Sequence, residues 1–111
     1  MFGRSSVPMI AATAVAADAY LLDVREPYEW EAGHVEGAIA MPMGEVMAKL
    51  AEIPVDREVV VICRSGHRSA QVAAYLNQTG RTAVNLEDGM QAWASAGLRM
   101  VSESGAPPAV V

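Results

Sequence analysis

The chain has a single cysteine, Cys63, among its 111 residues. A lone thiol cannot form an internal disulfide, so the fold must rest on its hydrophobic core, and a reducing compartment suits such a protein. We therefore expect a cytoplasmic location and a thiol that is free to react.

Positive charge is also scarce, with 8 Lys and Arg against 13 Asp and Glu, a formal net charge of -5. Without a basic face the chain cannot neutralise a run of phosphates, which excludes general nucleic-acid binding. No apolar run approaches the ~18 residues that a membrane span needs, so no membrane partner is predicted. The chain also lacks a histidine or cysteine cluster and a G-x-x-x-x-G-K-[ST] motif, and we expect no metal and no cofactor.

The N-terminal region weakly resembles a secretory signal peptide, because Arg4 is followed by an alanine-rich stretch over residues 7–17. Two observations oppose this interpretation. Pro8 and Thr13 interrupt the stretch, and cleavage after Ala19 would run directly into a predicted core strand. We favour a short first strand and helix instead.

Hydrophobic residues are plentiful, at 52% of the chain against 19% charged, which is typical of a globular protein. The length allows one domain over residues 1–111, and we place its core at about 7–99 and a C-terminal tail at 100–111. From residue 102 onward we expect a loop or a loosely docked end.

Short apolar segments alternate with segments of helical spacing. Strands are predicted at 20–24, 38–40, 58–62 and 82–86, and helices at 26–31, 44–53, 69–78 and 89–96. This alternation predicts an α/β fold with a mostly parallel sheet and helices on both faces. Ligands of such sheets bind where strands end and helices begin.

Cys63 stands at such a junction, in the stretch CRSGHRS that follows the apolar run 59–62. The start of the next helix, an inward-facing turn permitted by Gly66, and the charges of Arg64 and Arg68 all favour a thiolate there. Free cysteines often serve only as small apolar fillers, but these neighbours favour a nucleophile that attacks an anionic substrate and forms a covalent intermediate on sulfur.

Three stretches together resemble the single-domain rhodanese family of sulfurtransferases, over about residues 7–99: LLDVREPYEWEAGHVEGAIAMP (21–42), VVVICRSGHRS (59–69) and NLEDGMQAW (85–93). The resemblance implies a five-stranded, largely parallel sheet. It also implies a cycle in which a cysteine takes sulfane sulfur from a small anionic donor such as thiosulfate. The sulfur then passes, as a persulfide, to cyanide in vitro or to a thiol or protein in the cell.

The resemblance assigns roles within the CRSGHRS loop. Cys63 is the nucleophile, and the backbone N–H groups of residues 64–69 hold the charge of the added sulfur. Arg64 and Arg68 attract the donor, and Arg68 also suits bracing of the loop. For Ser69 we favour helix capping over donation to the thiolate. The remaining members of the active-site loop are Ser65, Gly66 and His67, and whether His67 takes part in the chemistry is open.

Other residues of the matching stretches have supporting roles. Asp23 and Arg25 flank a strand end, where we expect Arg25 to brace the site by pairing with Glu26, Glu29 or another carboxylate. His34 is interpreted as a turn residue, and Trp30 and Trp93 as packing residues. Asp88 and Gly89 are expected to form the tight turn before the last helix, where the Asp88 carboxylate can influence donor choice.

Two other functions compete. Phosphatases and arsenate reductases also place a cysteine and an arginine around an anion, but their spacing is C-x5-R, whereas only four residues separate Cys63 from Arg68. The smaller ring favours a single sulfur atom over a tetrahedral oxyanion. The second alternative is a sulfur relay or regulatory module that acts on a protein partner.

Overall fold

The structure, a computed structural model, describes residues 7–111, and a five-stranded sheet organises this range. The sheet order is β1-β5-β4-β2-β3, and every neighbouring pair is parallel. The strands are β1 (Met9–Ile10), β2 (Tyr20–Asp23), β3 (Ile39–Ala40), β4 (Val59–Ile62) and β5 (Ala83–Leu86). The predicted parallel α/β fold is confirmed, and β4 lies at its centre.

Residues 7–111 contain three α-helices: α1 (Pro27–Ala32) and α2 (His67–Gln78) lie between strands, and α3 (Gly89–Ser95) follows β5. Their positions follow the sequence prediction, except that α2 begins two residues before the predicted residue 69. Single 3₁₀ turns lie at Ala12–Ala14, Met43–Glu45 and Leu50–Glu52. Near the N-terminus a short strand and the first 3₁₀ turn are found as predicted, while Arg4 lies outside the described residues.

The β-branched run of β4 is buried on both faces of the sheet. Val59, Val61 and Cys63 pack into one hydrophobic cluster with α2, whereas Val60 and Ile62 pack into a second cluster with α3. Successive side chains of a strand point to opposite faces, so a strand covered by helices on both sides needs an uninterrupted apolar run. The same alternation places Cys63 on the α2 face.

The predicted helix over residues 44–53 is wrong. The segment contains two separate 3₁₀ turns, and its start is tied to the residue after β2 by a hydrogen bond from Met43 N to Val24 O at 2.9 Å. At its end Ile53 is extended and precedes Pro54, which disfavours a helical conformation. The Arg81 side chain donates to Leu50 O and Ile53 O. Both carbonyls belong to the last turn of the predicted helix, where carbonyls lack an internal partner, and Arg81 supplies one from outside the segment.

The C-terminal tail, residues 100–111, has no helix or strand of its own beyond a single bridge, in which Val101 and His34 exchange two backbone hydrogen bonds of 2.9 Å. Ala109 N donates to Ala32 O at 2.9 Å, and Arg64 Nε donates to Val111 O at 3.0 Å. The tail thus docks along the end of α1 and reaches the loop that follows β4.

Across residues 7–111, no helix has both the length and the apolar character required to cross a membrane.

Candidate active site

Cys63 lies directly after β4, at the edge of the sheet where the parallel strands end. Its side chain is buried, with 1% of the residue exposed. The chain turns back at Gly66, whose φ of 104° is in the left-handed region that favours glycine, and α2 begins at the next residue. This sharp turn brings the first residues of α2 over the sulfur.

The sulfur of Cys63 receives hydrogen bonds from two sides. Gly66 N donates to Sγ at 3.1 Å, and the Ser69 hydroxyl donates to it at 3.2 Å. Burial alone would raise the pKa of the Cys63 thiol, but the Ser69 hydroxyl and the backbone N–H groups of Ser69, Gly66 and Ser65 outweigh that penalty. The pKa of Cys63 therefore lies below its ordinary value, as a nucleophilic thiolate requires.

Ser69 does not cap α2, so the favoured interpretation of this residue is wrong. The helix begins at His67 with Gly66 as its N-cap, which places Ser69 inside the first turn. Its side chain is fully buried and points to Sγ and to Asn85 Oδ1, the latter at 2.5 Å. The earlier helix start converts a capping position into one that contacts the sulfur.

The first turn of α3 holds the backbone of the same loop. Met90 N donates to Cys63 O at 2.9 Å, and Gln91 N donates to Arg64 O at 3.1 Å. This approach requires Gly89, because a Cβ there would overlap the Cys63 carbonyl oxygen. Asp88, with φ of 58°, and Gly89, with φ of 55°, form the predicted tight turn before the helix.

Arg68 is bound to a carboxylate of α1. Its Nη1 and Nη2 donate to Glu29 Oε1 and Oε2 at 2.8 and 2.9 Å. The Arg68 hydrogen bond holds the pKa of Glu29 below its usual value, and the same contact raises the pKa of Arg68. Arg68 thus braces the loop, while its reception of a donor stays a prediction.

Arg64 and His67 are exposed at the rim of the loop, and Ser65 is half-buried between them. The Ser65 hydroxyl lies 3.2 Å from His67 Nδ1, while Arg64 contacts the tail through Val111 O. Of the six loop residues, Gly66 and Ser69 donate hydrogen bonds to the sulfur, while the roles of Arg64, Ser65 and His67 in the chemistry stay predictions.

Asp23 and Arg25 form a buried ion pair at the end of β2. Arg25 Nε and Nη2 donate to the Asp23 carboxylate at 2.9 and 2.7 Å, and Nη2 also donates to Gly33 O at 2.8 Å. The expected bracing role fits this geometry, but the carboxylate partner is Asp23 rather than Glu26 or Glu29. Arg25 touches Glu29 only at its carbonyl oxygen.

The predicted packing residues Trp30 and Trp93 lie in or against the second hydrophobic cluster, on the opposite face of the sheet from Cys63. His34 stacks on Trp30 with ring centroids 3.6 Å apart, and its Nδ1 donates to Trp30 O at 2.7 Å. Trp93 is a buried residue of α3, and its indole N–H donates to Arg99 O.

Two contributors to the site were missed by sequence reasoning: Asn85 and the link between Glu29 and Arg68. Asn85 Nδ2 donates to Gly66 O at 3.0 Å, while its Oδ1 accepts from Ser69. The available signal was a polar residue inside the otherwise apolar strand segment 82–86. No local pattern predicts that Glu29 faces Arg68, 39 residues away.

This arrangement supplies a buried sulfur with a lowered pKa and with backbone N–H groups directed at it. Within residues 7–111 no group of three His, Cys, Asp or Glu side chains is placed to hold a metal ion. The lowered pKa of Cys63 and the two hydrogen bonds to its sulfur suit nucleophilic chemistry on sulfur.

The chain belongs to the rhodanese-like domain family, whose model matches residues 9–96. A protein of Allochromatium vinosum named "Sulfurtransferase" is 45% identical over 89 residues, which cover 79% of this chain and 83% of the relative. The putative sulfurtransferase YtwF of Bacillus subtilis is also 45% identical, over 74 residues, covering 67% and 72% of the two chains.

A crystal structure of a rhodanese-related protein from Thermoplasma volcanium shares the fold. Its TM-score is 0.81 at 33% sequence identity, and the match covers 85% of this chain and 97% of the other. The family expected from the three sequence stretches is therefore confirmed.

Proposed function

We propose that this protein is a sulfurtransferase in which Cys63 carries sulfane sulfur as a persulfide. Its family membership and the two relatives named as sulfurtransferases support sulfur transfer as its general chemistry. The single observation that carries the mechanism is the Cys63 sulfur, buried at the base of a loop whose Gly66 N–H and Ser69 hydroxyl both donate to it.

The proposed first step is attack by the Cys63 thiolate on the outer sulfur of a small anionic donor such as thiosulfate. A sulfur–sulfur bond forms on Cys63, the sulfur–sulfur bond of thiosulfate breaks, and sulfite leaves with the bonding electron pair. The new terminal sulfur carries the negative charge, and the backbone N–H groups of residues 64–69 are the donors available to stabilise it. No separate general base is needed when Cys63 is already ionised.

Arginine charge favours an anionic donor at this site. Arg64 is exposed at the rim and suits its attraction. Arg68 is held by Glu29, so we assign it mainly to bracing, with its charge adding to the field felt by a thiolate. His67 lies at the same exposed rim with its ring against the Ser65 hydroxyl, and we propose that it faces the incoming donor.

The acceptor in the second step must come from outside this chain, since Cys63 is its only cysteine. Attack by cyanide on the terminal sulfur would release thiocyanate and restore the Cys63 thiolate. In the cell we propose a low-molecular-weight thiol or a protein thiol in the cytoplasm, because a lone thiol suits a reducing compartment. A relay to a partner protein is thus a version of the same chemistry.

Mass spectrometry of the intact protein after thiosulfate treatment tests the proposal. We expect wild type to gain one sulfur, about 32 Da, and to lose it on addition of cyanide with the formation of thiocyanate. The Cys63→Ser variant should gain none. Absence of added sulfur on the folded wild type with thiosulfate and other sulfane donors would overturn the proposal.

An assay with an aryl phosphate separates the rival enzyme class. The loop has one residue fewer between cysteine and arginine than the C-x5-R spacing of phosphatases, so we expect phosphate hydrolysis to be slower than sulfur transfer to cyanide. A faster rate on the aryl phosphate would reverse this preference.

A further inference from the structure

Asn85 joins the two groups that donate to the Cys63 sulfur. It is 4% exposed, and strand alternation places it on the same face of β5 as Ala83, toward α2. Its Nδ2 donates to Gly66 O at 3.0 Å, while its Oδ1 accepts from the Ser69 hydroxyl at 2.5 Å. Gly66 N and Ser69 Oγ are in turn the two groups that contact Sγ.

The orientation of the Asn85 amide is determined by its partners. A backbone carbonyl can only accept a hydrogen bond, so the amide edge that meets Gly66 O must be the nitrogen. The edge that meets Ser69 is therefore the oxygen, which can only accept. Ser69 must supply the proton of that contact.

Ser69 consequently has two acceptors for one hydroxyl proton, Sγ at 3.2 Å and Asn85 Oδ1 at 2.5 Å. When the sulfur is a thiolate, its charge favours donation to Sγ. When the sulfur is uncharged, as in a thiol or in a cysteine that carries a bonded group, donation to Oδ1 is favoured. Since Ser69 is fully buried, loss of this second acceptor would leave its hydroxyl proton without a good partner in the uncharged form.

We propose that Asn85 is a positioning residue that accepts the Ser69 hydroxyl hydrogen bond whenever the Cys63 sulfur is uncharged, and that the hydroxyl donates to the sulfur instead when a thiolate forms. Asn85 then stabilises the sulfur after it has reacted, relative to the thiolate, and so lowers the barrier to nucleophilic attack. The inference rests on the proposed nucleophilic role of Cys63. Its test uses alkylation of Cys63, so it can fail while sulfur transfer is observed, and the reverse also holds.

The test is a double-mutant cycle of Asn85→Ala and Ser69→Ala, read from the pH dependence of Cys63 alkylation by iodoacetamide. In that reaction a sulfur–carbon bond forms and iodide leaves. The charged and titratable groups on the elements around Cys63 are the same in all four proteins, so their effects on the pKa of Cys63 cancel in the cycle. These groups are Asp23, Arg25, Glu29, Arg64, His67, Arg68 and Asp88. The cycle also cancels any shift that Asn85→Ala causes through Gly66 alone.

The proposal predicts the sign of the coupling. We compare the change in the Cys63 pKa that Asn85→Ala causes in wild type with the change it causes in the Ser69→Ala background. The change in wild type should be lower by about 0.5 unit, which is roughly a threefold difference in the ratio of thiolate to thiol. The alkylation rate at its high-pH plateau should fall at the same time. If Asn85 only holds Ser69 in place, its loss would shift the pKa upward with Ser69 present, and that result, or an absent coupling, would overturn the proposal.

Asn77 provides a matched control for damage to the fold. Its side chain exchanges two hydrogen bonds with the backbone of Ala83, at the other end of β5, and has no contact with the sulfur. We expect Asn77→Ala to lower the free energy of unfolding while leaving both the pKa and the plateau rate of Cys63 unchanged. If Asn77→Ala reproduced both changes seen in Asn85→Ala, the proposed role of Asn85 would be rejected.

Discussion

The acidity of Cys63 at the residue scale arises chiefly from short-range hydrogen bonds. The sequence suggested a lowered pKa from the helix start, an inward-facing turn and two arginines. In the structure the Ser69 hydroxyl and the N–H groups of Ser69, Gly66 and Ser65 give the main lowering effects, against the opposing effect of burial. Arg68, already paired with Glu29, has a smaller part.

Removal of the Ser69 hydroxyl should therefore raise the pKa of Cys63. We expect Ser69→Ala to raise it by roughly 1–2 units, since a hydrogen bond to a charged group contributes about 1.5–3 kcal/mol and one pKa unit corresponds to about 1.4 kcal/mol. Because the folded pKa of wild type is depressed, its thiolate is present from lower pH upward, and the variant's alkylation profile should move to higher pH. Alkylation of Cys63 measured between pH 5 and pH 10, roughly spanning the usual thiol range, checks this shift.

Arg68→Lys is the control for this experiment. It keeps the positive charge near the sulfur but loses the two-pronged contact with Glu29. Its alkylation profile should stay close to that of wild type. An equal or larger shift in Arg68→Lys than in Ser69→Ala would contradict the dominance of the Ser69 hydrogen bond.

At the scale of elements, Glu29 connects α1 to α2 across the site. Its carboxylate accepts from Arg68 and also from Glu26 N at 2.9 Å, so one side chain both caps α1 and holds the active-site loop. Glu29 is almost fully buried, with 2% exposed, whereas the Arg68 side chain is 34% exposed. The bridge therefore has a dry carboxylate end and a solvated guanidinium end.

The Glu29 bridge should give the fold a specific acid sensitivity. The pKa of Glu29 is lowered in the folded state, so its contribution to stability is present above the unfolded value near 4.5 and is lost as pH falls through the folded value. We expect Glu29→Gln to lower the free energy of unfolding at pH 7 by about 1–3 kcal/mol. Urea unfolding of both proteins at pH 7 and at acidic pH should show the difference shrinking in acid.

Glu31→Gln is a suitable control, because Glu31 lies on the exposed face of the same helix. Within residues 7–111, no side chain or backbone group forms a hydrogen bond with the Glu31 carboxylate. It should change stability little at either pH. A pH-independent difference between wild type and Glu29→Gln would argue against the ionised bridge.

Sequence patterns predicted the elements whose cause is local. The run Val59 to Ile62 is a buried strand because it is apolar at every position, and Gly66 marks the turn because only a residue without a side chain readily adopts its φ. The segment 44–53 has helical spacing, yet contacts from Val24 and Arg81 hold it in two 3₁₀ turns. Those partners are distant in sequence, so spacing alone could not reveal them.

The candidate site follows the same division. Cys63 and the other residues of its loop are contiguous in sequence, so the stretch CRSGHRS was sufficient to identify them. The contacts of Asn85 with Ser69 and of Glu29 with Arg68 join different elements, across 16 and 39 residues. They depend on strand order and helix placement, which periodicity does not specify.

At the scale of the whole molecule, the C-terminal tail connects the end of α1 with the rim of the candidate site. It bonds to Ala32 through Ala109 and to Arg64 through Val111. Gly33 allows this close passage: a Cβ built there would lie 2.6 Å from Ala109 O and 2.7 Å from Ala109 N. With φ of 174° the backbone of Gly33 suits any residue, so the requirement for glycine is one of space.

Gly33→Ala should therefore displace the tail rather than strain the turn. Because the added methyl group meets backbone atoms that cannot rotate away, we expect a loss of about 1–3 kcal/mol in the free energy of unfolding. Hydrogen exchange should accelerate most in peptides from residues 101–111, whose amides lose their partners. Gly44→Ala is the matched control, since nothing lies within 4 Å of its added Cβ and its φ is not in the left-handed region. If both variants exchanged like wild type in the tail, its packing against Gly33 would be refuted, and faster exchange in Gly33→Ala alone would establish that this contact holds the tail against the domain.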